Sequence, residues 1–326
     1  SKYGIGTKQY MNGRDLLKPY VAACRANGLK VGFYFSPRDW HYPGLMHPNE
    51  FDANTSKNIP PITDRAANYR NYEQFLGFVL AQMEELLTRY GKIDILWLDG
   101  MNFRGVEDMH TEQIYAWIRS LQPEMVINDR WSNIVNPDDP AGSGVRIGDF
   151  TTPFECTKPT YIPSKWWEHC DIWTCGGGGW GYDKTGTFRP YSWFFEHLVA
   201  CRSLGGNFLP NVGPAGNGEM HPNYYLQMEG IAAWMKHSRE SVIGAGPSSG
   251  IERSNVMITT RDKNWYLHLL PDFKQQVSLK TDKEPKSVIL LRTKANLSFN
   301  YRDGFIKFTV PADLRTEMDD VVKVEF

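Results

Sequence analysis

The sequence predicts an α/β chain in two parts: a (β/α)8-like barrel that is incomplete at its N-terminus, and then a C-terminal antiparallel β-sandwich. Helix-like and strand-like segments alternate through residues 1–246, and aromatic and acidic residues follow the strand-like ones. Short strands separated by turn residues fill residues 247–326. Alternating strands and helices form parallel βαβ units, whereas short strands joined by turns form antiparallel sheets. We therefore place a barrel domain in residues 1–246 and a β-sandwich domain in residues 247–326.

Apolar periodicity with glycine as a stop signal predicts the helices, at residues 13–27, 65–90, 111–121, 189–204 and 222–239. Apolar and aromatic runs predict the barrel strands, at residues 29–35, 93–99, 124–128, 145–150, 168–173 and 207–212. A closed barrel has eight strands, each followed by a helix. The shortfall indicates that two N-terminal βα units are missing, and we expect the chain to be a fragment of a longer protein.

Composition excludes some classes of partner. The formal net charge of the 326 residues is -1, so no electrostatic argument favours nucleic acid or an anionic membrane surface. No apolar run is long enough to span a bilayer. Aromatic residues make up 13% of the chain, and many of its eleven tryptophans lie in loop-like segments beside charged groups. Such segments suit a sugar-binding cleft, although ordinary packing is the competing interpretation.

The run ILWLDG at residues 95–100 places a carboxylate at the tip of an apolar strand. Because side chains alternate along a strand, Trp97 and Asp99 point the same way and Leu98 points away. An acid beside an aromatic wall at a barrel mouth is typical of a glycosidase nucleophile. The alternative is a structural aspartate that caps the next helix or forms a turn. That helix is predicted to begin only at Thr111, so we favour catalysis.

Glycoside hydrolysis with retention needs a second carboxyl group near the first one. The segment GDFTTPFECTKP supplies Asp149 and Glu155 as candidates, and the segment WWEHCDIW supplies Glu168 and Asp171. The segment VINDRW adds Asp129 and Arg130 at another strand tip. Arg130 could hold sugar hydroxyls, orient a carboxylate, or form a structural ion pair.

Five motifs occur along the chain in a recognisable order: GLKVGFYFSPRDW, QMEELLTRYGKIDILWLDG, VINDRW, GDFTTP with WWEHC and WGY, and GGNFLPNVGPAGNGEM. Together they resemble the retaining α-L-fucosidases of glycoside hydrolase family 29, over residues 1 to about 245. The β-rich tail also matches the architecture of that family. The resemblance implies an exo-acting hydrolase that removes terminal α-L-fucose through a covalent fucosyl-enzyme.

The same resemblance implies roles for individual residues. Asp99 would be the nucleophile, and Trp97 would contact the fucose. Tyr34 would line the same pocket, and Arg130 would contact the sugar near the nucleophile. Trp180 would pack against the fucose methyl group.

The acid/base is assigned to Glu155, with Glu168 as the runner-up. The family places this residue in a T-x-E segment, and a strict alignment puts Phe154 at the acid position with Glu155 one residue later. A one-residue shift in this segment would bring Glu155 into the role.

Other features of the family pattern set further expectations. The family carries H-W-G and K-H-H-D-G motifs on its first two strands, and neither motif is present, as expected for a fragment. We expect no metal and no organic cofactor, a fucosylated oligosaccharide or glycoconjugate as substrate, and a possible homo-oligomer. We expect no nucleic-acid or membrane partner, and a secreted, periplasmic or lysosomal location. Two alternatives stay open, a catalytically impaired carbohydrate-binding relative and a retaining glycosidase for another sugar.

Overall fold

A computed structural model of the chain describes residues 12–37, 65–100, 110–131, 147–248 and 253–326. The chain divides into two compact units, Ser1–Thr151 and Thr152–Phe326. This division differs from the predicted boundary after residue 246, which stays a prediction.

The first unit contains a three-stranded parallel sheet, made of β1 (Gly32–Phe35), β2 (Ile95–Leu98) and β3 (Val126–Ile127). Tyr34 lies opposite Trp97 in the register between β1 and β2. Every second side chain of β2 is buried, since Leu96 and Leu98 pack in the core of the unit. The helices of this unit are α1 (Leu17–Ala26), α2 (Arg65–Arg89) and α3 (Thr111–Leu121). The predicted order of helices and strands is therefore confirmed here.

Local chemistry sets the ends of the first two helices. The Asp15 carboxylate accepts hydrogen bonds from the backbone amides of Leu17 and Lys18 at 2.9 and 3.1 Å, so α1 begins later than residue 13. Gly28 and Gly91 follow α1 and α2 with φ of 68° and 72°. This left-handed conformation costs glycine little and ends a helix, as the sequence predicts.

Three further strands form one sheet, β4 (Phe150–Glu155), β5 (Trp166–Ile172) and β6 (Asn207–Asn211). All of their residues except the first two of β4 belong to the second unit. β5 and β6 are parallel, with Glu168 opposite Asn207. The helices of this part are α4 (Tyr191–Ser203) and α5 (Pro222–Ser238). Phe195 and Trp234 are buried between these helices and the rest of the unit.

The predicted strand at residues 145–150 is displaced. Residues 145 and 146 lie outside the described residues, residues 147–149 are not extended, and β4 begins only at Phe150. Gly148 has φ of 146°, and a Cβ at this position would lie 2.7 Å from the carbonyl oxygen of Asn128. This close approach to Asn128 requires glycine at residue 148 and shapes the backbone just before β4.

The C-terminal part consists of antiparallel sheets, which confirms the predicted β-domain. The strands are β7 (Gly246–Pro247), β8 (Met257–Arg261), β9 (Asn264–Leu269), β10 (Val277–Lys280), β11 (Ser287–Leu290), β12 (Ala295–Asn296), β13 (Phe299–Arg302), β14 (Phe305–Phe308) and β15 (Asp320–Glu325). One sheet has six strands in the order β12-β11-β15-β9-β8-β7, and the other has three in the order β10-β14-β13. The two sheets share one apolar core, in which Leu279 and Phe308 of the small sheet join Leu267 and Val322 of the large one.

The fold shown by the described residues is thus a mixed α/β part followed by antiparallel sheets. Across the described ranges, β1 to β6 form two three-stranded sheets, and no closed barrel is present. Within the same ranges, none of the helices has both the length and the apolar character needed to cross a membrane.

Candidate active site

An aromatic pair marks the ends of β1 and β2. The rings of Tyr34 and Trp97 are stacked, with centroids 5.6 Å apart and planes inclined by 24°. Parallel pairing places them side by side, because they are opposite each other in the register. Leu98 is fully buried on the other face of β2, whereas Trp97 is only half-buried. The predicted alternation of Trp97 and Leu98 is therefore confirmed.

Two side chains hold the carboxylate of Asp99. The Tyr34 hydroxyl donates a hydrogen bond to Asp99 Oδ2 at 2.6 Å, and Arg130 Nη1 donates to Oδ1 at 3.2 Å. The backbone amide of Asp99 also donates to the carbonyl oxygen of Phe35, at 3.1 Å. The Asp99 side chain is 29% exposed, so the carboxylate is oriented by the protein and still open to a ligand.

Arg130 connects this carboxylate to the aromatic pair. Its side chain is only 13% exposed, and its guanidinium carbon lies 4.5 Å from the centroid of the Trp97 ring. A cation–π contact contributes about 0.5–2 kcal/mol, and a hydrogen bond to a charged group about 1.5–3 kcal/mol. Of the roles considered for Arg130, the geometry supports orientation of a carboxylate.

The surroundings of the Tyr34 hydroxyl favour its protonated form. Partial burial is the largest cause that raises the pKa of Tyr34, and the hydrogen bond to the Asp99 carboxylate raises that pKa further. Both effects disfavour a phenolate, which would carry negative charge beside a carboxylate. Tyr34 therefore acts as a hydrogen-bond donor to Asp99.

Sequence reasoning missed Asn128 as a positioning residue. Its buried side-chain amide accepts a hydrogen bond from the backbone amide of Leu98 at 2.8 Å and donates to the carbonyl oxygen of Leu98 at 2.9 Å. These two bonds secure the end of β2 one residue before Asp99. A polar residue at the end of an apolar strand, within the VINDRW motif, was the available signal.

The remaining predicted residues lie in the second unit. Glu155 is exposed at the last position of β4, and Trp180 is 43% exposed in the loop after β5. Glu168 lies within β5, half-buried, and accepts a hydrogen bond from the Asn207 side chain at 2.7 Å. Phe154, which a strict alignment puts at the acid position, is buried against Trp167. The structure thus joins Tyr34, Trp97, Asp99 and Arg130 in one unit, and the other three predicted residues belong to the second unit.

Two other carboxylates considered from the sequence have partners elsewhere. Asp149 pairs with Arg119 at 2.6 Å and accepts a hydrogen bond from the backbone amide of Ile127 at 2.8 Å. Asp171 is buried next to His169 and His197. These three residues form the one group in the described part of the chain that could hold a metal ion, and it includes none of the four residues around Asp99.

Comparison with known proteins assigns the family. The profile of the family named alpha-L-fucosidase matches residues 5–240. The chain belongs to the alpha-L-fucosidase family. The resemblance found in the motifs is therefore confirmed.

Individual members of the family are distant in sequence. Tissue alpha-L-fucosidase of Rattus norvegicus is 24% identical over 266 residues, which are 79% of this chain and 52% of that protein. Plasma alpha-L-fucosidase of Homo sapiens is 25% identical over 236 residues, which are 70% of this chain and 45% of that protein. The chain thus spans about half the length of the curated relatives it matches.

A solved structure shows that the fold is shared along almost the whole chain. Alpha-L-fucosidase isoenzyme 1 from Paenibacillus thiaminolyticus matches with a TM-score of 0.79 and 26% sequence identity. The match covers 99% of this chain and 79% of that one. The family assignment therefore rests on sequence and on fold together.

Proposed function

We propose that the protein is a retaining exo-α-L-fucosidase that hydrolyses terminal α-L-fucose from glycans. The observation that carries the proposal is the Asp99 carboxylate at the tip of β2, held by Tyr34 and Arg130 beside the stacked Trp97 ring. A carboxylate that is both oriented and accessible can attack a sugar carbon. Membership of the alpha-L-fucosidase family supports fucose as the sugar.

The reaction proceeds in two displacements. Asp99 attacks the anomeric carbon, and Glu155 donates a proton to the departing glycosidic oxygen, so a β-fucosyl-enzyme forms as the glycosidic bond breaks. Glu155 then removes a proton from water, which attacks the same carbon and releases Asp99. Two inversions retain the α configuration. The pairing of Asp99 with Glu155 rests on the sequence pattern, since the two residues belong to different units.

The neighbours of Asp99 have distinct tasks in this scheme. Tyr34 and Arg130 each bind one carboxylate oxygen and so limit the rotation of the group before attack. Trp97 would contact the fucose, and the exposed Trp180 would pack against its methyl group. The reaction needs no metal or organic cofactor.

The wider setting forms part of the same proposal. The parallel strands would belong to a (β/α)8-like barrel, and the substrate would be a fucosylated oligosaccharide or glycoconjugate. A secreted, periplasmic or lysosomal location is supported by the human relative, whose name places it in plasma. Assembly as a homo-oligomer also stays a proposal.

The stereochemistry of the first product tests the proposal. The protein should hydrolyse 4-nitrophenyl α-L-fucoside, and proton NMR should show α-L-fucose first, with the β anomer appearing later by mutarotation. Initial release of β-L-fucose would show inversion and contradict the mechanism. If the protein hydrolysed other aryl glycosides and not the fucoside, the assignment of fucose as the substrate sugar would be wrong.

The identity of the acid can be decided by comparing leaving groups. Glu155→Gln should slow hydrolysis of an unactivated fucosyl disaccharide by about 10²–10⁴-fold, because its leaving oxygen must be protonated. Hydrolysis of 4-nitrophenyl α-L-fucoside should fall far less, since nitrophenolate leaves without a proton.

Glu168→Gln is the matched control for this comparison, because glutamine can still accept the hydrogen bond from Asn207. It should leave the ratio between the two substrates unchanged. If Glu168→Gln instead shows the strong dependence on leaving group, Glu168 is the acid and the assignment to Glu155 is wrong.

A further inference from the structure

The second unit holds a buried cluster of three polar side chains that the proposed reaction does not use. His169 and Asp171 lie two residues apart on β5 and therefore share one face of the strand. His197 lies on α4 and faces them. Each of the three is less than 9% exposed, and their potential ligand atoms all lie within 4.8 Å of one another.

Hydrogen bonds to the backbone determine which imidazole nitrogen faces the cluster. His169 Nδ1 lies 3.1 Å from the carbonyl oxygen of Phe154, and His197 Nδ1 lies 2.8 Å from that of Trp193. A carbonyl oxygen can only accept, so each Nδ1 carries the hydrogen. In the neutral rings, each Nε2 then presents a lone pair, which is the arrangement of metal-binding histidines.

Both Nε2 atoms face the same carboxylate oxygen. Asp171 Oδ2 lies 3.7 Å from His169 Nε2 and 3.8 Å from His197 Nε2, which is too long for a hydrogen bond. Within the described part of the chain, the buried His169 Nε2 has no hydrogen-bond partner. Three acceptors thus converge, with the Phe208 ring stacked on His169 and the Trp193 ring packed against His197.

Such a convergence needs an electropositive group at its centre. A water molecule could donate to the unpartnered His169 Nε2, but it has only two hydrogens for the three acceptors that meet here. A divalent cation satisfies all three at once. Ligand atoms bonded to one Zn²⁺ at about 2.1 Å cannot be more than about 4.2 Å apart. The two pairs that include Asp171 Oδ2, at 3.7 and 3.8 Å, are within that limit, and the two imidazole nitrogens lie within 4.8 Å of each other.

We propose that His169, Asp171 and His197 form a buried binding site for a divalent transition-metal ion, with Zn²⁺ as the ion that suits the donors. Two imidazoles and one carboxylate match Zn²⁺, whereas Ca²⁺ and Mg²⁺ prefer oxygen ligands. The bound ion joins α4 to β5 and stabilises the second unit, and this proposal is independent of the proposed hydrolysis.

Metal content and binding test the site directly. The tag-free protein is stripped with a chelator, titrated with Zn²⁺, and assayed by calorimetry, elemental analysis and thermal melting. Wild-type protein should bind one equivalent in the cluster, and its Tm should rise by about 3 °C or more with saturating Zn²⁺. His197→Gln and Asp171→Asn should lose that equivalent and that rise in Tm. If the two variants still bound this equivalent and still showed the rise in Tm, the proposal would be overturned.

His237→Gln serves as the control, because His237 is a partly buried histidine of α5 whose Nδ1 bonds to Ser238 Oγ outside the cluster. This variant should bind Zn²⁺ like the wild type. If it lost the bound equivalent as the cluster variants do, Zn²⁺ would be binding at the surface and the proposed site would be wrong.

A second measurement avoids variants that fail to fold. Crystals of wild-type protein soaked in Zn²⁺ are measured on both sides of the zinc absorption edge. An anomalous peak between the three side chains is expected. Density without anomalous signal would identify a water molecule and refute the proposal.

Discussion

Asp99→Ala is expected to reduce hydrolysis of 4-nitrophenyl α-L-fucoside by on the order of 10⁴-fold or more, as removal of a catalytic nucleophile does in other hydrolases. Without the carboxylate no fucosyl-enzyme can form. The substitution leaves a space beside Tyr34 and Arg130 that a small anion can enter. Added azide should therefore restore part of the rate and yield β-fucosyl azide, which NMR of the product can identify.

Two further variants make this test specific. Asp94→Asn changes an acid at the opposite end of the same strand, where the side chain accepts a hydrogen bond from the Val31 amide at 2.8 Å, a bond that asparagine can also accept. It should keep nearly full activity. Tyr34→Phe retains the ring next to Trp97 and removes the hydrogen-bond donor to Asp99. Its loss of activity should therefore lie between those of Asp94→Asn and Asp99→Ala. Full activity of Asp99→Ala would refute the assignment of the nucleophile.

Asp319→Ala is expected to lower the free energy of unfolding of the β-domain by about 3–5 kcal/mol, because it leaves a buried histidine without its charged partner. Asp319 Oδ2 lies 2.7 Å from His268 Nδ1, and both side chains are fully buried. His268 Nε2 lies 2.9 Å from Thr259 Oγ1, which donates its hydrogen to the carbonyl oxygen of Ser241 at 2.6 Å. The chain of contacts joins the segment after α5 to β8, β9 and the residue before β15.

The number of hydrogens available to the network explains why His268 depends on both Thr259 and Asp319. The single hydroxyl hydrogen of Thr259 goes to Ser241, so His268 Nε2 must donate to Thr259. The other ring nitrogen, Nδ1, lies 2.7 Å from Asp319 Oδ2, so this carboxylate is its buried hydrogen-bond partner. Removal of the carboxylate leaves Nδ1 without that partner.

Urea unfolding followed by circular dichroism measures the effect. Asp272→Ala removes an exposed aspartate of the same domain and should change the free energy of unfolding by less than about 0.5 kcal/mol. Thr259→Val should show an intermediate loss of about 1–3 kcal/mol, since it leaves His268 Nε2 without an acceptor. A loss below about 1 kcal/mol for Asp319→Ala would show that the buried pair contributes little to stability.

The order of secondary-structure elements could be predicted because its signals are local. The helix predicted at residues 111–121 matches α3 residue for residue, since apolar periodicity acts within a few turns. Ends of elements are less well predicted where distant backbone intervenes. β4 starts later than predicted because Gly148 packs against Asn128, a contact that no pattern around residue 148 contains.

By itself the sequence determined the α/β order, the antiparallel tail, the family, and the position of Asp99 at a strand tip with Trp97 on the same side. These features follow from side-chain periodicity, which is a property of neighbouring residues, and from the order of the motifs along the chain. Only the tertiary structure decided that Tyr34 and Arg130, 65 and 31 residues from Asp99, donate to its two oxygens. It also decided that His197 of α4 faces His169 and Asp171 of β5. Such contacts depend on strand register and on helix packing, which together place distant side chains within a few ångströms.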